Sequence, residues 1–591
     1  MAHLPHYLRH FVLAFGFFCS LSGCEEPKTQ GVPWRPYYGC PSGSLNCGGE
    51  CLPVLTDNNN CGECGRVCAT GASCTNGTCT CPIGVSCTGG VVPMSSNSPT
   101  SPTAAPMGAP SGTTTTSAPT TTTSSPLPKP PIDNTPGIDS TYETVLRLAV
   151  HFYGAQRAGT QPNWLLRQVN GGGQGCFTAD GKPYGVDLSG GWFDAGDHIK
   201  PTLTISYAAL LLLKAYEAFP NAFDDLYGPT DAAPLVGASI SGTPNGIPDV
   251  LDEVKAATDY LEKIVVNGSL VMQVGNTELD HRRFYSCPAQ ANFDLATGGE
   301  MQGATRIGRE VSLGNGGAAG GLAAASLALM AQLYAPFDPT AASRYLAAAT
   351  AIYPLVSEQA MGVSPYPGSK PAVGKLCAAA ELLRTTKGEN YRADTLRLLG
   401  STGPHYWVAG WDNPHEFCLQ SAYVATDDFT ALAKWSENLN LGISQEANVR
   451  GLILKPDWGD WGVLRNATTA GFSAALLGHL RKTTDYQALA KSQLDWVLGQ
   501  NPTGRSYVVG IGTNPPRSPH HRNACEQEAS GPNDSVGCKH LLYGALVSGP
   551  SVGRAYADNV SDYVQNEVAL DYNAGLVGLA AYAVYLERGG N

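Results

Sequence analysis

The chain has 591 residues, a formal net charge of −12 and no long Lys/Arg run. That length allows two or three domains. The lack of concentrated positive charge argues against a nucleic-acid partner or an anionic membrane surface, because phosphate recognition needs clustered cations.

Residues 1–24 read as a secretory signal. Arg9 and His10 precede the apolar run Phe11 to Leu21, which is too short to span a bilayer. The run closes on Leu21-Ser22-Gly23-Cys24, which resembles a bacterial lipobox that would place lipid on Cys24. An ordinary signal peptide with a coincidental cysteine is the other reading. Either one implies a secreted or cell-surface protein. The sequons at Asn76, Asn267, Asn466, Asn533 and Asn559 suit a eukaryotic secretory path, so the host stays open.

Residues 25–90 form a small Cys-rich module. Ten cysteines fall between Cys40 and Cys87, and no histidine lies among them. The CxxC spacing at Cys61 and Cys64 has a zinc alternative, but an exported chain favours disulfides. So short a stretch needs covalent staples in place of a large apolar core. Six further cysteines, an even number, occur at Cys176, Cys287, Cys377, Cys418, Cys525 and Cys538.

Residues 91–137 are a Ser/Thr/Pro linker, with no charge from Ser95 to Leu127. They offer too little apolar surface to fold and are expected to be a disordered spacer.

From residue 138 to 591 the texture becomes helices joined by Gly/Pro-rich loops. Helices are expected at Thr204–Phe219, Leu251–Ile264, Gly320–Tyr334, Ala341–Tyr353, Thr469–Arg481, Tyr486–Leu498 and Asn573–Leu586. Some are apolar all round, as in Tyr207 to Leu213, and so are buried on every side. Others, such as Asp252 to Leu261, are amphipathic. Alternation of the two kinds predicts two concentric helical layers, an all-α fold of the α/α barrel type. Ser506–Ile511 is the best strand candidate.

Three tracts carry the chemistry. In Gly190-Gly191-Trp192-Phe193-Asp194-Ala195-Gly196-Asp197-His198 two acids lie three residues apart, where they can share one water. Asp197 alone also reads as a helix N-cap. The second tract is Ser506 to Arg522, ending Pro519-His520-His521-Arg522, a rigid loop presenting hydrogen-bond donors. A zinc site at the two histidines is disfavoured, since adjacent histidines point apart and no HExxH pattern is present. The third holds Asp558, Tyr563, Glu567, Asp571, Tyr572 and Asn573. A general acid at neutral pH needs a raised pKa, which burial beside rings supplies. Glu567 also reads as a helix-entry carboxylate facing the macrodipole. Asp197 and Glu567 lie 370 positions apart, so only a large closed fold unites them.

These tracts, with the helix ending His151-Phe152-Tyr153-Gly154-Ala155-Gln156-Arg157, resemble glycoside hydrolase family 9, the cellulase family built on an (α/α)6 barrel. The resemblance covers about residues 140–588. It implies an inverting endo-β-1,4-glucanase acting on cellulose or a related glucan. Asp197 would be the general base and Asp194 would help hold its water. Glu567 would be the general acid, with His520 and Asp558 in the active site. Arg522, His281, Trp192 and Tyr572 would bind substrate. Inversion calls for carboxyl groups ~6.5–9.5 Å apart. One departure follows Asp280-His281, where Arg282-Arg283-Phe284-Tyr285 replaces the usual tryptophan-rich stretch. An exo-acting glycosidase of glucosaminidase or xyloglucanase type, and a non-catalytic glycan-binding protein, are the alternatives. A polysaccharide is the expected partner of a monomer, with no cofactor required. Some family members bind calcium, and Asp412 is a candidate neighbour of such a site, weighed against a purely structural role.

Overall fold

The computed structural model describes residues 141–590, apart from 160–175, 229–234, 237–238, 241, 288–308, 361, 364, 369, 406–407, 446, 450–451, 455–460, 528–530 and 552–553. It also describes short stretches between Leu45 and Thr80. The chain divides into two units, Met1–Thr121 and Thr122–Asn591. The predicted signal with Cys24 and the predicted linker lie outside the described residues.

In the first unit, β1 (Leu45–Cys47) pairs antiparallel with β2 (Glu50–Leu52), and β3 (Ser73–Thr75) with β4 (Thr78–Thr80). Cys61 and Cys74 form a disulfide, and Cys68 is also disulfide-bonded. Their buried sulfurs act as covalent staples, so the zinc alternative does not apply to them.

The second unit contains twelve helices of 11 to 19 residues among the described residues. They are α1 (Tyr142–Ala155), α2 (Thr202–Ala218), α3 (Asp249–Leu261), α4 (Gly317–Tyr334), α5 (Pro339–Ile352) and α6 (Pro371–Thr386). They continue with α7 (Glu389–Ser401), α8 (His415–Thr426), α9 (Phe429–Gln445), α10 (Val463–Arg481), α11 (Gln487–Val497) and α12 (Leu570–Glu587). The even-numbered helices pack in sequence and close a ring, since α12 returns to α2. Each odd helix lies outside: α3 on α2, α5 on α4, α7 on α6, α9 on α8, α11 on α10, and α1 on α12. This is the (α/α)6 barrel.

The burial pattern explains the two layers. In α2 every residue from Thr202 to Ala215 is buried, so this helix has no solvent face. In α5 the buried positions are Ala341, Ala342, Tyr345, Ala349 and Ile352, one stripe at helical spacing. The helix Gly317–Tyr334 is apolar and long enough to cross a membrane, but it is an inner barrel helix buried by its neighbours. A small antiparallel sheet caps the ring. Its strands are β5 (Lys200–Pro201), β6 (Val265–Val266), β7 (Ser269–Val274) and β8 (Val311–Gly314), with β5, β6 and β8 all pairing with β7. The predicted strand Ser506–Ile511 is absent. Isolated bridge positions remain at Val508, paired with Leu546, and at Ile511, and Tyr507 instead stacks on Trp496 at 5.4 Å.

The six cysteines of this unit pair as Cys176–Cys287, Cys377–Cys418 and Cys525–Cys538. The second bridge ties α6 to α8. Beside it lies a buried ionic network. Lys214 on α2 meets Glu381 on α6 at 3.3 Å and Ser421 on α8 at 2.7 Å, while Arg384 reaches the other Glu381 oxygen at 2.6 Å. Burial opposes the Glu381 charge, but Arg384 and Lys214 outweigh it and lower its pKa. Removing one partner of a buried pair strands the other charge. Lys214→Met is therefore expected to destabilise the barrel by about 3 kcal/mol, read as a lower urea midpoint.

Candidate active site

Asp194 and Asp197 sit on the turn that leads into β5. That turn is held by its own main chain. The Asp194 carbonyl accepts from Leu570 N at 2.9 Å, Ala195 from the Gln156 amide at 2.8 Å, and Gly196 from Arg522 N at 3.0 Å. Gly196 is compelled by contact: a Cβ there would stand 1.9 Å from the His520 carbonyl oxygen. His520 N in turn donates to Asn566 O at 2.8 Å, next to Glu567. The three sequence tracts are thus laced together by backbone hydrogen bonds, and His520 forms a parallel bridge with Glu567.

The two aspartates differ sharply. Asp194 is buried, and the hydroxyl of Tyr366 donates to it. Burial, with the Asp197 charge beside it, pushes the Asp194 carboxyl well above the ordinary carboxylate range. The Asp197 side chain retains 14% exposure. Its Oδ2 lies 2.8 Å from His281 Nε2. Its Oδ1 is buried and has no hydrogen-bond partner among the described residues. A buried carboxylate oxygen wants a donor, so Oδ1 is the natural seat for a water molecule.

Glu567 follows the short helix Tyr563–Asn566. Its Oε2 accepts from the indole of Trp461 and from the Tyr572 hydroxyl at 3.0 Å. Burial is the largest influence on this carboxyl, and the charges of Asp197 and Asp571 add to it. Together they raise its pKa to about 7 against the two hydrogen bonds. Glu567 thus keeps its proton to a higher pH than an ordinary carboxyl. Rings surround the pair: Trp461 packs on Tyr563 at 5.1 Å, Phe284 on His520 at 5.0 Å, and Tyr366 on Trp411 at 5.0 Å. Trp461 and Tyr563 are each about half exposed, which leaves this side open to a ligand.

The structure places the other predicted residues as follows. His281 touches Asp197. Burial disfavours its charged form, but the hydrogen bond and charge of Asp197 prevail and raise its pKa. His520 has Nδ1 at 2.7 Å from Val560 O, so Nδ1 carries the proton and Nε2 is left as an acceptor. Asp558 accepts from Arg517 N at 2.8 Å and Ser518 N at 2.9 Å, and so anchors the loop that carries His520. Tyr572 bonds to Glu567 itself. Two further predicted residues lie deeper in the fold. Trp192 is fully buried and packs on Tyr153 at 4.7 Å, so it supports the aspartate turn from the core and offers no face to a sugar. Arg522 is 5% exposed and its Nη1 donates to Asp280 at 2.7 Å, so its charge serves an interior ion pair. Asp280 is held near pKa 2, because Arg522, His198 and His281 overcome its burial.

Among the described residues Asp412 belongs to no group of three or more His, Cys, Asp or Glu side chains within metal-binding reach of one another. Asp197, Asp280 and His281 do cluster, but Asp280 is neutralised by Arg522.

Sequence reasoning passed over four contributors: Trp461, Tyr366, Gln156 and His521. His521 Nδ1 accepts from Ala524 N at 3.0 Å, so its Nε2 donates to Gln156 at 2.7 Å, and Gln156 holds the Ala195 carbonyl. Gln156 lay inside the His151 to Arg157 stretch already singled out, and that position was the available signal.

A buried carboxyl of raised pKa and a carboxylate with one unpartnered oxygen thus meet beside partly exposed rings on a helical barrel. Residues 142–580 match the model of "Glycosyl hydrolase family 9", and the chain belongs to that family. Endoglucanase A of Bacillus pumilus is 29% identical over 481 residues, which are 75% of this chain and 66% of the relative. Endoglucanase B of Cellulomonas fimi is 29% identical over 469 residues, 75% of this chain and 42% of the relative. The chain therefore spans two thirds or less of these relatives. Among solved structures, the cellulase Cel9M of C. cellulolyticum aligns with a TM-score of 0.62 at 27% identity, covering 76% of this chain and 99% of that one. Endoglucanase CelQ from Clostridium thermocellum, complexed with cellotriose, aligns at 0.61 and 28% identity, covering 76% and 71%.

The Gly196 contact is directly testable. Gly196→Ala must part the aspartate turn from His520, and a misplacement near 1 Å costs about 100-fold in rate. Steady-state kinetics on a soluble β-glucan should show that loss in kcat, with the helical circular dichroism unchanged.

Proposed function

We propose that the protein is an inverting endo-β-1,4-glucanase acting on cellulose or a related glucan. The observation that carries this reading is the split state of the carboxyls, Glu567 protonated near neutrality and Asp197 with one oxygen unpartnered. In the proposed reaction Asp197 takes a proton from a water that Asp194 helps to hold. The water oxygen forms a bond to the anomeric carbon as the glycosidic bond breaks. The electron pair of that bond goes to the leaving oxygen, which receives the Glu567 proton. Water attacks from the face opposite the leaving group, so configuration inverts.

The cellotriose bound to CelQ supports a β-1,4-glucan as ligand. The disulfides within the barrel suit an oxidising compartment. With the apolar run before Cys24, they support export, and lipid at Cys24 would hold the enzyme at a cell surface. Mass spectrometry of the mature N-terminus tests that placement.

Asp197→Ala and Glu567→Ala should each reduce cleavage of a soluble β-1,4-glucan by at least about 100-fold, since general acid–base groups contribute 10²–10⁴. Full activity in either variant would remove that residue from the mechanism. Nuclear magnetic resonance of fresh product should show the α-anomer first. The Glu567 pKa is raised, so its proton is present below pH 7 and lost above it. The rate should accordingly fall as pH rises through about 7.

A further inference from the structure

The two oxygens of Glu567 are not equivalent. Oε2 accepts both the Trp461 indole N–H and the Tyr572 hydroxyl. No hydrogen bond to Oε1 is present among the described residues. An indole N–H donates and never accepts, so a proton on Oε2 would meet another proton.

The surrounding backbone enforces this arrangement. Trp461 precedes Gly462, whose N donates to Ser548 Oγ, and Leu464 N donates to Ser548 O at 2.9 Å. Ser548 N then donates to Glu567 O at 2.9 Å, so one residue registers the indole against the acid. Gly462 has φ +68°, and a Cβ there would stand 2.9 Å from the Tyr572 hydroxyl. The missing side chain leaves room for the second donor.

We infer that Trp461 is a positioning residue for proton donation: with Tyr572 it confines the acid proton of Glu567 to Oε1 and stabilises the carboxylate left behind. This rests on Glu567 being the general acid. In the step itself the Oε1–H bond breaks, and the proton goes to the leaving oxygen. That oxygen also receives the electron pair of the broken glycosidic bond. The negative charge remaining on Glu567 is met at Oε2 by the two donors. The other groups acting on Glu567 are the carboxylates Asp197 and Asp571, the latter paired with Arg465 at 3.0 Å. The Tyr366 phenol also feels the Glu567 charge, and the His520 ring, whose pKa burial lowers, is carried by the segment bridged to Glu567.

The test compares two substrates. Cellopentaose needs its leaving oxygen protonated, whereas a 2,4-dinitrophenyl β-cellobioside does not. Trp461→Phe keeps an aromatic ring and removes the donor, at a half-exposed site. It should lower kcat on cellopentaose about tenfold, the effect of one lost hydrogen bond to a charged group. It should move the alkaline limb up by about one pH unit. Turnover of the dinitrophenyl substrate should hold, and Tyr572→Phe should act in the same direction. An unmoved alkaline limb in both variants, or an equal loss on both substrates, would overturn the inference and leave the indole as a sugar platform. Glu567→Gln separates the two levels: if it retains cellopentaose activity, the acid assignment itself fails.

Discussion

Everything at this site depends on a small set of main-chain hydrogen bonds between segments remote in sequence. Leu570 N to Asp194 O, Arg522 N to Gly196 O and His520 N to Asn566 O join the three tracts directly. Because backbone atoms make these links, the relative placement of the carboxyls does not rely on side-chain torsions. The same bonds satisfy the carbonyls of a turn buried at the barrel mouth, where an unpaired group would cost about 1–3 kcal/mol. Gly196 is the point at which sequence and geometry meet most tightly, since no side chain fits between the turn and His520.

The barrel was legible wherever the burial pattern of a helix was pure. The inner helices α2, α4 and α12 are nearly uniform in small and aliphatic residues and declare themselves. Helices α6 to α9 did not. Helix α6 carries Lys375, Glu381 and Arg384 into packed surroundings, and α8 opens with His415 and Glu416, both buried. Key partners come from remote helices, Lys214 on α2 for Glu381 and Ser473 on α10 for Glu416, so no local pattern marks these groups as interior. The strand expectation at Ser506–Ile511 failed for a related reason. Its β-branched valines are buried among helices, and Gly510 at φ +72° turns the chain after four residues.

The carboxyls proposed to react stand where the family resemblance puts acidic residues, because acid chemistry demands them at fixed motif positions. Their tuning was not legible in the sequence. Tyr366 and Trp461 reach Asp194 and Glu567 from elements with no acidic signature of their own. Trp192, two residues before Asp194, is buried, and the two glycines before it, both at positive φ, fold its ring inward. Gly191 packs against the Tyr260 ring with no room for a Cβ, and that contact fixes the turn's direction. The two donors on Glu567 also show how a buried acid can be kept near neutrality and still release its proton.

The ring closes only when α12 docks between α2 and α10 and receives α1 on its outer side. Glu567 lies immediately before that helix. On a ribosome, Asp194 and Asp197 emerge hundreds of residues ahead of Glu567. A partly synthesised chain thus never holds the three carboxyls together. The site is assembled in a single late event, and export of an unfolded chain would delay that event until the whole barrel has formed.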